Sequence, residues 1–546
     1  MPDTPPVRRR ATTAACCLLL VALAVSTALT VTGGGTLGDR GPLYAWYPVD
    51  ALLFASAVAL LRRVPARQAG RLVLAGSVLI AAAGLLAPPR TSDDAYRYVW
   101  DGQVQRAGLS PYAYAPDDPA LAGLRARAPG LFPVGDDCDG WDERRAAGGF
   151  CSRLNRPAVH TVYPPVAELW FAGLHRVAGG WGVRAAQAGG ALLAVATTGV
   201  LLAALRRRPG APGRALWRAA LWGWCPGVAV WAVNDAHVDV LGALLTVGGL
   251  VLAGRGRPGT GGALLGAATA TKLLPALALP GAMSGLLARR PRPRDVVLPL
   301  SALGVLALGY LPYVLASGAG VLGYLPGYLR EEGYDQDRID RFGLVRLLLP
   351  DGWAGYGAAL VLLVLVLHVL RRGDPARPWR GALLVTGGAL LTATPGYPWY
   401  GLLVVALVGL DGRWEWLAVP AAGQLVYLLG GGAQQPAYGA ALAVVLTGAA
   451  VRRLRRGRPG PPVPAAAPAA DTSRGAPATA PAPAPAPEST TAPAAAATGG
   501  PATAPTVGPS GVPATAPRGA PATAPRGASA TNGRGKGRAR SFRPGR

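Results

Sequence analysis

Nearly uncharged runs recur from Ala14 to Ala450. They are about 17–25 residues long, enough to cross a hydrocarbon layer of roughly 30 Å as helices. Segments like these have nowhere to hide in a soluble chain of 546 residues, which length alone would divide into several domains. The pattern predicts an all-α polytopic membrane protein. It excludes a secreted enzyme, a nucleic-acid binder and a small disulfide framework. Twelve spans are expected, within a range of ten to fourteen: 14–32, 43–61, 72–87, 183–205, 215–233, 238–253, 296–316, 353–370, 380–394, 399–410, 414–429 and 436–451. The first, preceded by Arg8, Arg9 and Arg10, is expected as a retained signal anchor. Residues 162–178 open with Pro164-Pro165, and 262–288 are split by Pro275 and Pro280, so neither is counted as a full crossing.

Charge orients the spans. The short connections 62–71, 206–214, 255–258, 289–294 and 371–380 are rich in Arg and nearly free of acids. By the positive-inside rule they face the cytoplasm, together with residues 1–13 and Arg452–Arg458. Both termini are then cytoplasmic, in a multi-pass protein of the plasma membrane whose membrane domain runs from 14 to 451. The large first loop, 88–161, faces outward with ten acids against nine Arg. A second outward stretch, 317–345, carries Glu331, Glu332, Asp335, Asp337 and Asp340. The tail 452–546 is basic and rich in Pro, Ala, Thr and Gly, with GAPATAP at both 475–481 and 519–525. Such composition predicts disorder. Cys138 and Cys151 lie in the outward loop, where a disulfide persists, whereas Cys16, Cys17 and Cys225 fall in apolar runs.

Three constellations break the apolar pattern. TSDDAYRYVWDG, Thr91 to Gly102, follows the third span with Asp93, Asp94, Arg97 and Asp101 among aromatic residues. Adjacent carboxylates in a partly dry site resist double ionisation, so one can serve as a proton acceptor. The bland alternative is a helix cap formed by Ser92 or Asp93. In AVNDAHVD, Ala232 to Asp239, the pairs Asn234/His237 and Asp235/Asp239 each share a helical face. Polar groups beside an apolar run usually line a cavity. One His with two Asp makes a thin zinc site, and a plain polar boundary is the other alternative. Lys272 lies inside an apolar run, in a chain whose other Lys is Lys536. It needs an anionic partner or must snorkel to an interface. Two further stretches are NRPAVHTVYPPVAELWF, containing Tyr163, and PGYPWY (395–400), which suits an interfacial aromatic belt.

The strings DDAYRYVWDGQVQRAGLSPYAYAPDDPAL, NRPAVHTVYPPVAE, NDAHVD and ATATKLLPALALP, in this order, resemble the GT-C superfamily of integral-membrane glycosyltransferases. The resemblance is to the bacterial branch near family 87 and the polyprenyl-phosphomannose-dependent mannosyltransferases. It implies a GT-C-like helical bundle that transfers a hexose, with mannose expected, from a polyprenyl-phosphate donor. The acceptor would be a cell-envelope glycan, lipid or protein at the outer face. No cofactor beyond the lipid-linked donor is implied, and no metal is expected. Carried over by position, Asp94, or Asp93, is the general base. His237 and Lys272 would hold the departing phosphate, and Tyr163 and Asn234 would line the pocket. Arg97, Asp101 and Asp239 complete the candidate substrate-binding set. A flippase of polyprenyl-linked sugars is the alternative, although no internal repeat of the kind common in transporters is visible.

Overall fold

The computed structural model describes residues 6–33, 35–135, 138–207, 215–323, 325–327 and 341–457. The five acids expected between 331 and 340, and the tail beyond 457, lie outside them. The described chain is mostly helical, with one two-residue β-hairpin. Among the described residues, six helices are long and apolar enough to cross a membrane, or seven if the bent pair Val228–Asn234 and Asp239–Ala253 counts as one span. The twelve expected spans are therefore not all helices of crossing length. Run 215–233 breaks into the turn Leu216–Ala219, the short helix Ala220–Gly223 and a π-helical stretch, Val228–Asn234. Apolar runs at 380–394, 399–410 and 414–429 become the helices Pro378–Ala393, Leu402–Asp411 and Ala418–Leu429 of 16, 10 and 12 residues.

The shortest of these helices is apolar because protein surrounds it. All ten residues of Leu402–Asp411 are buried, and a helix apolar on every side belongs in a core. Long helices such as Asp351–Arg372 instead present Leu360, Val361, Leu363 and Val364 outward. Hydropathy reads the two situations alike.

The first two helices, Pro6–Gly33 and Gly41–Leu61, are joined by a polar contact missed in the sequence. Asp50, fully buried, accepts hydrogen bonds from Ser26 Oγ at 2.6 Å and Thr30 Oγ1 at 2.8 Å. The helices Ala66–Gly84 and Val183–Arg206 close on the π-helical stretch through glycine. A Cβ on Gly84 would stand 2.6 Å from the Ala229 carbonyl oxygen, and one on Gly190 only 2.0 Å from that of Ala232.

The expected loop 88–161 is an ordered cap. It begins with the helix Asp94–Arg106, which packs against Pro165–Ala178 with Tyr98 stacked on Phe171 at 4.4 Å. Tyr96, Trp100, Leu121, Leu124, Phe132 and Leu154 share a separate small core. A hairpin pairs Arg144 with Ser152 and Arg145 with Cys151, and Cys151 is bonded to Cys138 with Cα atoms 5.5 Å apart. A closed loop of this size contributes about 3 kcal/mol in the chain-entropy model. Denatured but unreduced protein should therefore expose the three thiols of Cys16, Cys17 and Cys225 to a labelling reagent. Reduction should raise the count to five. Five reactive thiols before reduction would overturn the pairing.

Candidate active site

The site is built outward from a carboxylate. Asp235 follows the π-helical stretch and is fully buried. Its Oδ1 accepts the backbone N–H groups of Arg90, Thr91 and Ser92 at 3.2, 3.0 and 3.2 Å, and its Oδ2 accepts the Thr91 hydroxyl. Tyr427 donates to the Thr91 carbonyl at 2.6 Å. The chain is thereby pinned just before the helix that carries Asp93 and Asp94. Ala236, next in sequence, sits at φ 55°, a left-handed conformation that costs a residue with a Cβ roughly 1–2 kcal/mol. Phe342 and Thr394 share this backbone strain at φ 58° and 46°. Phe342 lines the cavity described below and Thr394 adjoins its wall.

Asp93 and Asp94 have different surroundings. Asp93 occupies the cap position, yet its side chain does not cap; it pairs with Arg144 of the hairpin. Ser92 Oγ instead accepts the Asp94 N–H at 3.3 Å. Asp94 Oδ1 accepts from Asn155 Nδ2 at 2.5 Å, and Oδ2 lies 3.5 Å from His237 Nδ1. Burial lifts the Asp94 carboxyl above the usual range, against the opposing pull of Lys272, Arg156 and the Asn155 hydrogen bond. Asp93 is lifted too, again by burial, with the Arg144 charge pulling down. A raised carboxylate is the stronger proton acceptor. Among the described residues, Asp94 is the one of the two without a salt bridge to Arg or Lys.

Lys272 stands just past the end of the helix Pro258–Thr269, where the chain breaks before Pro275. The Val166 N–H donates to the Ala270 carbonyl at 2.8 Å, tying this break to the Pro164-Pro165 entry. Lys272 Nζ donates to Asp239 Oδ2 at 2.6 Å and lies 4.9 Å from the centre of the Tyr400 ring. It faces the protein interior and meets a carboxylate.

One cavity of about 750 Å³ joins these groups. Asp93, Asp94, Arg97, Asn155, Arg156 and Lys272 supply charge and hydrogen bonds, and Tyr163, Tyr397, Trp399, Tyr400 and Tyr427 supply flat faces. Apart from Ser92, His160, Phe342 and Thr392, the rest of the wall is aliphatic. Gly355, Ala358, Ala359 and Leu362 come from one face of Asp351–Arg372, facing Leu390 and Ala393 of Pro378–Ala393. The PGYPWY aromatics thus line the cavity rather than forming only an interfacial belt. Sequence could not separate these roles, because both require aromatics at the end of an apolar run.

Several expected residues lie behind the wall. Asn234 does not line the pocket: it is fully buried and donates to the carbonyls of Gly84, Ala87 and Pro88. His237 cannot hold a phosphate in the cavity, because it is fully buried, stacked on Trp399 at 3.9 Å behind Asp94. Asp101 is absent from the wall. Arg97 Nε reaches both its oxygens, at 2.8 and 2.9 Å, while Arg97 Nη1 holds the Val159 carbonyl at 3.0 Å. Buried Glu168 adjoins them, accepting from Thr161 at 2.7 Å and Gln105 at 2.8 Å. Burial holds the Asp101 and Glu168 carboxyls above their usual range. Asp239 is spent on Lys272 and meets the cavity only through it. Among the described residues, no three His, Cys, Asp or Glu side chains could hold a metal ion.

Fold and site together define a helical membrane protein with a carboxylate and a lysine set in a largely apolar cavity. Residues 161–395 match the family model of glycosyltransferase family 87, and that similarity indicates a glycosyltransferase. The match takes in Tyr163, His237, Asp239 and Lys272, and does not reach Asp93 and Asp94. No curated protein and no solved structure matches the chain.

The Asn155 bond favours the ionised form of Asp94, so its loss should raise the Asp94 pKa. The Asn155→Ala variant should show the acid limb of its transfer rate moved to higher pH. A limb that stays in place or moves down would separate Asp94 from proton transfer.

Proposed function

We propose that the protein transfers a hexose, with mannose as the expected sugar, from a polyprenyl-phosphate donor to a glycan, lipid or protein acceptor of the cell envelope. The observation that carries this reading is the cavity that brings Asp94 and Lys272 together with an aliphatic slot between two helices. Small residues at 355, 358 and 359 leave room there for an isoprenoid chain. Aromatic faces suit the sugar ring. In this reading the chain crosses the plasma membrane about twelve times, counting the short buried helices. The cap then lies outside, with both termini and the basic tail in the cytoplasm.

Chemically the reaction is one displacement at the sugar's anomeric carbon. Asp94 takes the proton of the acceptor hydroxyl as its oxygen bonds to that carbon. The bond from carbon to phosphate oxygen breaks, and the electron pair leaves with the lipid phosphate. Lys272 has N–H groups beyond the one given to Asp239, and Arg97 Nη2 has no hydrogen-bond partner among the described residues. Both are placed to meet the growing negative charge, which weighs heavily in a cavity this dry. Asp239 and His237 act behind them, the first holding Lys272 and the second supporting Asp94.

Radiolabelled polyprenyl-phosphomannose supplied to membranes should label an acceptor only when the protein is present. No transfer from this donor would overturn the donor assignment. Asp94→Asn should lower the rate by about 100-fold or more, since general-base catalysis typically contributes 10²–10⁴. Asp93→Asn should cost less, because that carboxylate serves Arg144. Equal losses from both variants would contradict the division of roles. Lys272→Met should insert normally yet bind donor weakly, and unchanged donor binding would remove it from the phosphate site.

A further inference from the structure

The helices Pro378–Ala393 and Leu402–Asp411 each have one end at the cavity, near Leu390 and after Trp399–Tyr400 respectively. At their opposite ends four arginines gather. Asp411, nearly buried, accepts from Arg380 Nε at 3.2 Å and from Arg413 Nε. Arg413 Nη2 also donates to the Arg380 carbonyl at 3.1 Å. Arg377 Nε lies 3.8 Å from Asp374. Arg218 arrives from a third segment, Leu216–Ala219, and rests on Gly412. That glycine has φ +88°, and a Cβ there would stand 2.6 Å from Arg218 Nε.

Arg218 is the unsatisfied member. Among the described residues its Nε is buried without a hydrogen-bond partner. Asp411 attracts it through space but is already shared by two other guanidinium groups, while Arg380 and Arg377 repel it. Four guanidinium groups thus face two carboxylates. A desolvated charge with a free donor calls for an acceptor, and a guanidinium fork matches the paired oxygens of a phosphate. The neighbours indicate where that phosphate comes from. Trp217, Trp379 and Trp414 stand directly beside Arg218, Arg380 and Arg413 in sequence. Trp414 is 59% exposed. Tryptophan concentrates at the depth of lipid head groups, and basic pockets there bind anionic lipid.

We propose that this cluster binds the phosphate of an anionic phospholipid head group, with Arg218 donating to it. The site is separate from the cavity and does not depend on which sugar is transferred.

The test uses the full chain in neutral detergent, followed by native mass spectrometry and thermal unfolding. Added phosphatidylglycerol should remain bound and raise the melting temperature, whereas phosphatidylcholine and inorganic phosphate should do neither. Arg218→Met should retain phosphatidylglycerol about tenfold less well, the worth of one charge-assisted hydrogen bond. Arg372→Gln, which removes an exposed arginine near the same end, should retain it normally. Without lipid, Arg218→Met should unfold no earlier than the parent, because it removes a desolvated charge whose Nε has no hydrogen-bond partner among the described residues. Earlier unfolding would mean that Arg218 already has a protein partner, and equal lipid retention would mean that it does not contact lipid; either overturns the proposal. Equal stabilisation by inorganic phosphate would overturn the lipid assignment.

Discussion

The structure around the site depends on one carboxylate that does no chemistry. Asp235 gathers three consecutive backbone amides and one hydroxyl from residues 90–92. A carboxylate with this many donors is a rigid fixture, worth far more in an apolar interior than at a surface. It joins the bend at 234–239 to the start of the cap helix, so that Asp94, His237 and Asp239 occupy one small volume although they come from segments about 140 residues apart. Gln187 reinforces the joint by donating to the carbonyls of Ala87 and Asn234 at 2.9 and 2.7 Å.

Around this fixture charges are assigned in pairs: Asp93 to Arg144, Asp101 to Arg97, Asp239 to Lys272. Asp94 stands apart, held by an amide and backed by an imidazole, with its side chain 15% exposed. Pairing costs a carboxylate its basicity, because a close cation favours the ionised form. An acid that cations reach only through space, as Lys272 and Arg156 reach Asp94, keeps more of its appetite for a proton. The distribution of cations therefore separates two residues that adjacent positions in sequence make look equivalent.

Much of this was legible in the chain beforehand. The apolar runs gave the helical class, and the order of four strings gave the family resemblance. Lys272 stood out because a lone lysine in an apolar run needs a partner. The unread parts share a cause: sequence carries period and composition but not direction. Asn234 and Asp235 are neighbours in one motif, and a turn of about 100° per residue sent the expected pocket residue toward backbone carbonyls. Its neighbour became the anchor of the cap. His237 was expected at the cavity, and it stands beside Asp94, but its depth behind that carboxylate is a matter of packing. The span count suffered likewise, since a helix sheathed in protein and one sheathed in lipid have the same hydropathy. Asp50 was passed over because a single acid in a long apolar run offers no spacing to interpret.

Asp50 has a consequence for how the protein is made. A carboxylate at mid-helix costs about 2.5–3.5 kcal/mol to hand to lipid, and Ser26 and Thr30, which offset that cost, belong to the preceding helix. The second segment can therefore leave the insertion machinery cheaply only while the first is still beside it. The two would enter the bilayer as a pair, in the order of synthesis, before any of the site exists. The joint entry of these two segments is thus written into three side chains that lie outside the cavity.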